Sequence, residues 1–200
     1  MKQFATIGIN KVIALLIAFA ATLPFTGLAQ VKYHAQGLSV TIAGTSTLHD
    51  WEMKANNGKC DAVFVLGPND KITALSGLSF SMQATSLKSD SKMMDNNAYK
   101  ALKTDAHSNI AFVLSSATVT QLDGNTYQLK CFGKLTIAGT TRETDLIATG
   151  KWNPGDKSFV VTGTKKIKMT DYNVKPPTVM MGTIKTGNDL SIAFNLRIVK

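Results

Sequence analysis

Two hundred residues carrying a formal charge of +9, with 44% hydrophobic residues, three histidines and two cysteines, leave room for one domain around one core. Neither Cys60 nor Cys131 lies near a histidine or the other cysteine, which excludes a closely spaced zinc site built on them. No nucleic-acid motif accompanies the basic charge, which is left to solubility or to contact with anionic envelope material.

The chain opens on Lys2 and Lys11, an apolar run from Val12 to Ala21, and Pro24-Phe25-Thr26-Gly27-Leu28-Ala29-Gln30. A basic start, an apolar stretch too short to span a bilayer and small residues at Gly27 and Ala29 predict a secretory leader over 1–29, cut after Ala29. Gln30 stands where a lipoprotein needs cysteine, and no later run is long enough to cross a membrane as a helix. The expectation is an unanchored protein of 30–200, periplasmic or secreted, with Lys2 and Lys11 removed. Export permits a Cys60–Cys131 disulfide, but burial as free thiols accounts for the two cysteines equally well.

Downstream, Gly44-Thr45-Ser46-Thr47-Leu48-His49-Asp50-Trp51 reads as extended, placing Thr47, His49, Trp51 and Met53 on one face. An imidazole and an indole on a lumen face could hydrogen-bond a lipid head such as a quinone or phosphate; a structural histidine is the plainer reading. Leu78, Phe80, Met82 and Ala84 then alternate with Ser79, Ser81, Gln83 and Thr85. Ser91–Lys103 breaks this period: Asp95 is the expected cap of a short helix whose Met94, Ala98, Ala101 and Leu102 share a face, as a lid or as a cover for the end of the core. Tyr127, Leu129, Cys131, Gly133, Leu135 and Ile137 alternate with polar neighbours broken only by Phe132. Leu190, Ile192, Phe194, Leu196 and Ile198 repeat the pattern near the C-terminus. Met93-Met94 and Met180-Met181 lie in irregular segments, at a barrel mouth or as ordinary gap-filling residues.

Turn signals punctuate the chain at Asn56-Asn57-Gly58, Gly67-Pro68-Asn69-Asp70, Asp123-Gly124-Asn125, Ala138-Gly139-Thr140, Asn153-Pro154-Gly155-Asp156 and Thr186-Gly187-Asn188-Asp189. Strands of about ten residues joined in sequence twist continuously, and closure removes their exposed edges. The predicted fold is all-β: an antiparallel up-and-down eight-stranded β-barrel, lipocalin-like, with a short helical insert. A β-sandwich is the alternative.

Catalysis finds no support. His34, His49 and His107 do not pair at metal-ligand spacing, no Gly-x-Ser-x-Gly elbow is present, and Glu143 and Asp145 share a polar strand face. No enzyme, metal or cofactor is expected.

Three motifs carry a resemblance. Ala84-Thr85-Ser86-Leu87 leads into Met94-Asp95-Asn96-Asn97-Ala98-Tyr99-Lys100-Ala101-Leu102-Lys103 and then Asn109-Ile110-Ala111-Phe112; Gly133 to Arg142 reads G-x-L-T-I-x-G-x-T-R; and Met169-Thr170-Asp171-Tyr172-Asn173-Val174 precedes the last strand. Together, over Leu75–Ile147 and Lys165–Val199, these resemble the YceI-like family of exported lipid-binding proteins. The insert lacks that family's Asp-His-Leu-Arg and Phe-Phe-Asp residues, Ser108 replaces a usual proline and Asn173 a usual glycine. The departures fall where a ligand's head would be recognised. The resemblance implies a non-catalytic, metal-free barrel holding a polyisoprenoid or similar long-chain amphiphile.

The residues expected to meet such a ligand come from the inward faces. They are Leu78, Phe80 and Met82; Met94 and Leu102 of the helix; Ile110 and Phe112; Leu129, Leu135 and Ile137; Leu146 and Met169; and Ile192 and Phe194, with His49 and Trp51 near its head. Gly133, Ala84 and Ala148 are expected to leave room in the lumen. A filled barrel of structural or stress-related role, and a basic binder of anionic polymers, are the other readings. Peripheral contact with membrane fits the lipid reading; the residues alone name neither the lipid nor an oligomeric state.

Overall fold

Alternating apolar and polar residues build ten antiparallel strands. The computed structural model describes residues 29–200, so the expected leader, apart from Ala29, lies outside the described residues. In chain order the strands are β1 (Ala29–Ser46), β2 (Trp51–Ala55), β3 (Lys59–Leu66), β4 (Ile72–Gln83), β5 (Asn109–Asp123), β6 (Thr126–Ile137), β7 (Thr140–Asn153), β8 (Ser158–Lys168), β9 (Thr178–Val179) and β10 (Ile184–Val199); helix α1 (Lys92–Leu102) stands between β4 and β5.

The long β1 closes the sheet. Its first half pairs with β3, from Ala29 opposite Leu66 to His34 opposite Asp61, and its second half pairs with β2, from Val40 opposite Ala55 to Gly44 opposite Trp51. Its other edge pairs with β10, from His34 opposite Val199 to Ser46 opposite Thr186. β2 and β3 therefore occupy one wall position as a single broken strand, and the wall has eight positions: β1, β2 with β3, β4, β5, β6, β7, β8 and β10. The Asn56-Asn57-Gly58 signal marks that break, not a reversal. Thr186-Gly187-Asn188-Asp189 is likewise inside β10, where the register against β1 jumps between Gly44–Leu190 and Ser46–Thr186. The extra residues form a bulge, and Asn188 is held there by Thr170: the Thr170 amide donates to Asn188 Oδ1 at 3.1 Å. The other four signals are true connections.

The seam between β7 and β8 is paired only from Ala148–Gly163 to Asn153–Ser158. Beyond it the two strands part, and a turn at Met169–Tyr172 folds over the gap. Arg142 Nε donates to the Asp171 carbonyl at 2.8 Å, Asn173 Nδ2 to Thr140 Oγ1 at 3.1 Å, and Lys165 pairs with Asp145 at 2.9 Å. Met169, Tyr172 and Val174 are thereby buried in the wall.

The interior divides into two layers. At the end bearing the Gly67–Lys71, Gly124 and Pro154 connections, five aromatic rings form an unbroken edge-to-face chain: Trp152, Tyr33, Phe64, Phe159 and Tyr127, with centroids 5.3 to 6.2 Å apart. Phe159 has no exposed surface. At the other end a second cluster contains Val40, Met53, Met82, Leu87, Ile110, Ile137 and Met169, with the helix packed across it. Leu38, Phe80, Leu135 and Phe194 touch both clusters and form the partition between them.

Small residues on the inward faces do not leave the lumen empty. The Phe112 ring occupies the space a β-carbon at Gly133 would take, 2.6 Å from its Cζ, and Ala84 and Ala148 are buried in the packed clusters. The ring of Phe112 thus fills the gap at Gly133, which corrects the expectation of room there. Cys60 and Cys131 are both free buried thiols of the aromatic layer.

Candidate functional site

Above the partition the barrel is hollow. A cavity of about 290 Å³ opens at the helix end, walled by Ile42, Met53, Ile110, Ile137, Ile167, Leu190 and Ile192 from the strands and by Met94, Ala98, Ala101 and Leu102 from α1. Period-two alternation aims the strand residues inward, and the helical i, i+4 spacing of Met94 and Ala98 aims α1 down onto them. Its polar neighbours are few: Ser46, His49, Ser91, Asn97, Thr186 and the buried Tyr172.

The helix is fixed by a different cap from the one its sequence suggests. Ser91 is the N-cap, its Oγ accepting from the Met94 amide at 3.4 Å. Asp95 is buried one turn further on and binds backward, its Oδ1 accepting from the Ser89 amide at 2.7 Å and the Ser89 hydroxyl at 2.8 Å. The Tyr99 hydroxyl is within donating distance of the Leu87 and Thr85 carbonyls, at 2.7 and 2.9 Å. Both side chains tie α1 to the segment leaving β4. A left-handed Lys103 ends the helix.

The expected ligand residues separate into two groups. Met94, Leu102, Ile110, Ile137, Met169, Ile192, His49 and Trp51 line the cavity. Leu78, Phe112, Leu129 and Leu146 belong instead to the filled aromatic layer, Phe80, Leu135 and Phe194 to the partition, and Met82 is buried in the second cluster without lining the cavity. Alternation gives which side of the wall a residue faces; it does not give its height along the barrel.

His49 is not on a strand. Residues 47–50 form the β1–β2 turn, with the Ser46 amide bonded to the His49 carbonyl at 3.1 Å, so Thr47 and His49 are exposed at the mouth while Trp51 and Met53 face inward. His49 Nδ1 is 2.6 Å from the Asp50 carbonyl. The Trp51 indole N–H donates to the Thr45 carbonyl at 3.0 Å and its ring lies against Gly44, so it presents an apolar face to the cavity and no free donor. A role for that indole in hydrogen-bonding a ligand's head is corrected accordingly. Tyr172 adds a phenol to the wall; burial raises its pKa, the Asp171 carboxylate adds to the shift, and Arg142 opposes it. It stays neutral.

Residues that the sequence reading left out complete the rim: Leu48, Pro177, Val179 and Ile184. Pro177 and Val179 come from the segment after the seam turn, which has no period-two signal. Met93 and Met94 line the cavity, and Met180-Met181 occupy the β9–β10 turn at the same end. Among the described residues no cluster of three or more His, Cys, Asp or Glu is arranged to hold a metal.

Fold and cavity together define a closed antiparallel barrel of the lipocalin type, half filled and half hollow. A family model described as the YceI-like domain matches residues 24–198, and the chain belongs to the YceI-like family, whose barrels are non-catalytic. Solved structures agree on the fold: BcnA of Burkholderia cenocepacia is 18% identical with a TM-score of 0.63, over 82% of this chain and 96% of its own. A polyisoprenoid binding domain from Saccharophagus degradans, implicated in plant cell wall breakdown, is 11% identical with a TM-score of 0.61, over 86% and 99%. The YCEI protein of Campylobacter jejuni is 16% identical with a TM-score of 0.51, over 98% and 97%. Comparison with curated proteins gives no match.

Proposed function

We propose that this protein is an exported, non-enzymatic carrier that holds the apolar chain of a long-chain amphiphile, a polyisoprenoid, an isoprenoid quinone or a fatty-acid derivative, in the hollow half of its barrel. The observation that carries the reading is the cavity itself: about 290 Å³ walled by aliphatic and methionine side chains, in a barrel whose other half is packed. Such a space gains about 0.8 kcal/mol for each methylene taken out of water, so affinity comes from the chain and little polar chemistry is needed. Methionines at the entrance adapt to chains of different shape. The structural neighbour from Saccharophagus degradans, described as polyisoprenoid binding, supports the same ligand class. The basic, apolar N-terminus supports export to the periplasm or medium.

Mass spectrometry of the intact protein under native conditions, beside an organic extract of protein purified from its own host, tests the reading. A stoichiometric long-chain species that leaves on denaturation is the expected result. An empty protein whose mass is unmoved by added isoprenoids, quinones and fatty acids would sink it and favour a structural role for the barrel.

A further inference from the structure

Four of the large apolar side chains most exposed to water gather at one place. Leu48 is 65% exposed, Met93 66%, Met180 72%, and Met181 is fully exposed. They come from three separate segments, the β1–β2 turn, the first turn of α1 and the β9–β10 turn. Leu48 and Met93 also line the cavity, as do Val179 and Ile184 on either side of the methionine turn. The turns are laced together: the Thr47 amide donates to the Lys185 carbonyl at 3.0 Å, and the Lys185 amide to Thr47 Oγ1 at 3.1 Å. The apolar lip and the apolar lumen are therefore continuous.

The opposite end differs. Its connections carry Pro68-Asn69-Asp70, Gly124-Asn125 and Pro154-Gly155-Asp156-Lys157, and Leu122 is its one exposed large apolar residue among those described. The backbone at the mouth is also unusual. Met180 and Met181 both hold left-handed φ, 51° and 54°, ahead of Gly182 at 88°. Bulky residues gain nothing from that conformation in water, since neither side chain is buried.

Charge selects the partner. Lys88 and Lys92 flank the start of α1, Lys175 and Lys185 bracket the rim segment, and all four are exposed. Residues 174–185 contain no acid, whereas Asp50, Glu52 and Asp90 lie together on the other side of the mouth, Glu52 paired with Lys54 and Lys88 with Asp95, so the basic side of the lip is the rim segment between Lys175 and Lys185. Apolar tips flanked by ammonium groups match the boundary of an anionic bilayer, where methionine and leucine enter the acyl region and lysine meets the phosphates.

We propose that the cavity mouth docks onto an anionic lipid bilayer, with Met180, Met181, Met93 and Leu48 inserted and Lys92, Lys175 and Lys185 against the headgroups. The proposal deepens the carrier reading and rests on it for purpose: the docked mouth lets a chain pass between bilayer and barrel without crossing water. The docking itself is a separate physical claim.

Flotation of the mature protein with vesicles tests it, using equal parts phosphatidylglycerol and phosphatidylethanolamine against phosphatidylcholine alone. The wild type is expected to float with the anionic vesicles and to detach as salt is raised. M180S/M181S, and separately K92E/K175E/K185E, are expected to lower the partition coefficient roughly tenfold or more. An environment-sensitive dye on M181C, with the two native thiols buried, is expected to shift to the blue on those vesicles. Wild-type protein left in solution, or M180S/M181S floating undiminished, would overturn the proposal. Cargo is scored separately: flotation by a protein that binds no lipid in its native mass spectrum removes the carrier reading and upholds docking, whereas a lipid-loaded protein that never floats removes docking alone.

Discussion

The ring of Phe159 lies over Gly150, on the neighbouring strand: a β-carbon placed on residue 150 would sit 2.1 Å from Phe159 Cζ. Gly150 is opposite Val161 in the ladder and Phe159 opposite Trp152, so the ring reaches diagonally across the pair and fills the gap that the glycine leaves. One glycine thus sets the position of the ring that joins Phe64 to Tyr127 in the aromatic chain.

Gly150→Ala is therefore expected to cost about 1 to 3 kcal/mol by forcing Phe159 off its rotamer. Guanidinium unfolding checks the size. Phe159→Leu in the same chain should absorb the added methyl, giving a coupling above about 0.5 kcal/mol in the double-mutant cycle. Strict additivity would mean that the ring and residue 150 do not touch.

The same pairing of ring and glycine sets the floor of the cavity. Phe194 is opposite Gly163, and its Cζ would be 2.4 Å from a β-carbon there. Phe194→Ala removes one of the two phenylalanine rings of the partition, deepening the cavity toward the aromatic layer at a stability cost of about 2 to 4 kcal/mol. In competition among octyl, dodecyl and hexadecyl amphiphiles, measured by native mass spectrometry, the variant should move its preference toward the longer chain. An unchanged preference would show that chain length is not limited by this floor.

Much of this was legible in the residues. Period two in Tyr127–Ile137 and Leu190–Ile198 gives the inward faces, and the helical spacing of Met94, Ala98, Ala101 and Leu102 gives the side of α1 that covers the lumen. What alternation lacks is the axial coordinate. Leu129 and Ile137 share a face, yet one is in the filled layer and the other lines the cavity, because strand tilt and register decide the height of each. The glycines misled for a related reason: the ring that fills Gly133 comes from Phe112 on the adjoining strand, a contact no local window contains. Turn chemistry was ambiguous where glycine and asparagine mark a break or a bulge, at 56–58 and 186–189, since left-handed tolerance serves either. The β1–β2 turn was hidden because Thr47-Leu48-His49-Asp50 contains neither glycine nor proline.

Burial pushes the Cys60 and Cys131 thiols up to about 11, with the Asp61 carboxylate adding to the shift of Cys60. At pH 8 both are protonated and shielded, so a disulfide-exchange reagent such as dithiobis-nitrobenzoate should leave the native protein untouched and titrate two thiols once guanidinium is added without reductant. Two thiols missing from the unfolded count would instead mean that the protein carries a Cys60–Cys131 bridge.

The turn between β7 and β8 is bound to the last strand through one carboxylate. Asp156 Oδ1 accepts from the Ser158 hydroxyl at 2.6 Å and from its amide at 3.0 Å, and Oδ2 pairs with Arg197 at 2.9 Å. The Ser158 hydroxyl first, and then Arg197, hold the Asp156 pKa below its usual value. A carboxylate depressed in the folded state stabilises fully above its unfolded pKa, and that contribution is lost as pH falls through the folded value. Asp156→Asn is therefore expected to lower stability at neutral pH and to converge on the wild type as the medium is acidified below the ordinary carboxylate range. The contribution is modest because the group is solvent-exposed, and added salt should shrink the Arg197 part of it while leaving the Ser158 bonds. Urea unfolding of both proteins from pH 7 down to pH 3 measures the gap; a gap that stays constant across that range would mean the charge on Asp156 does not hold the turn to β10.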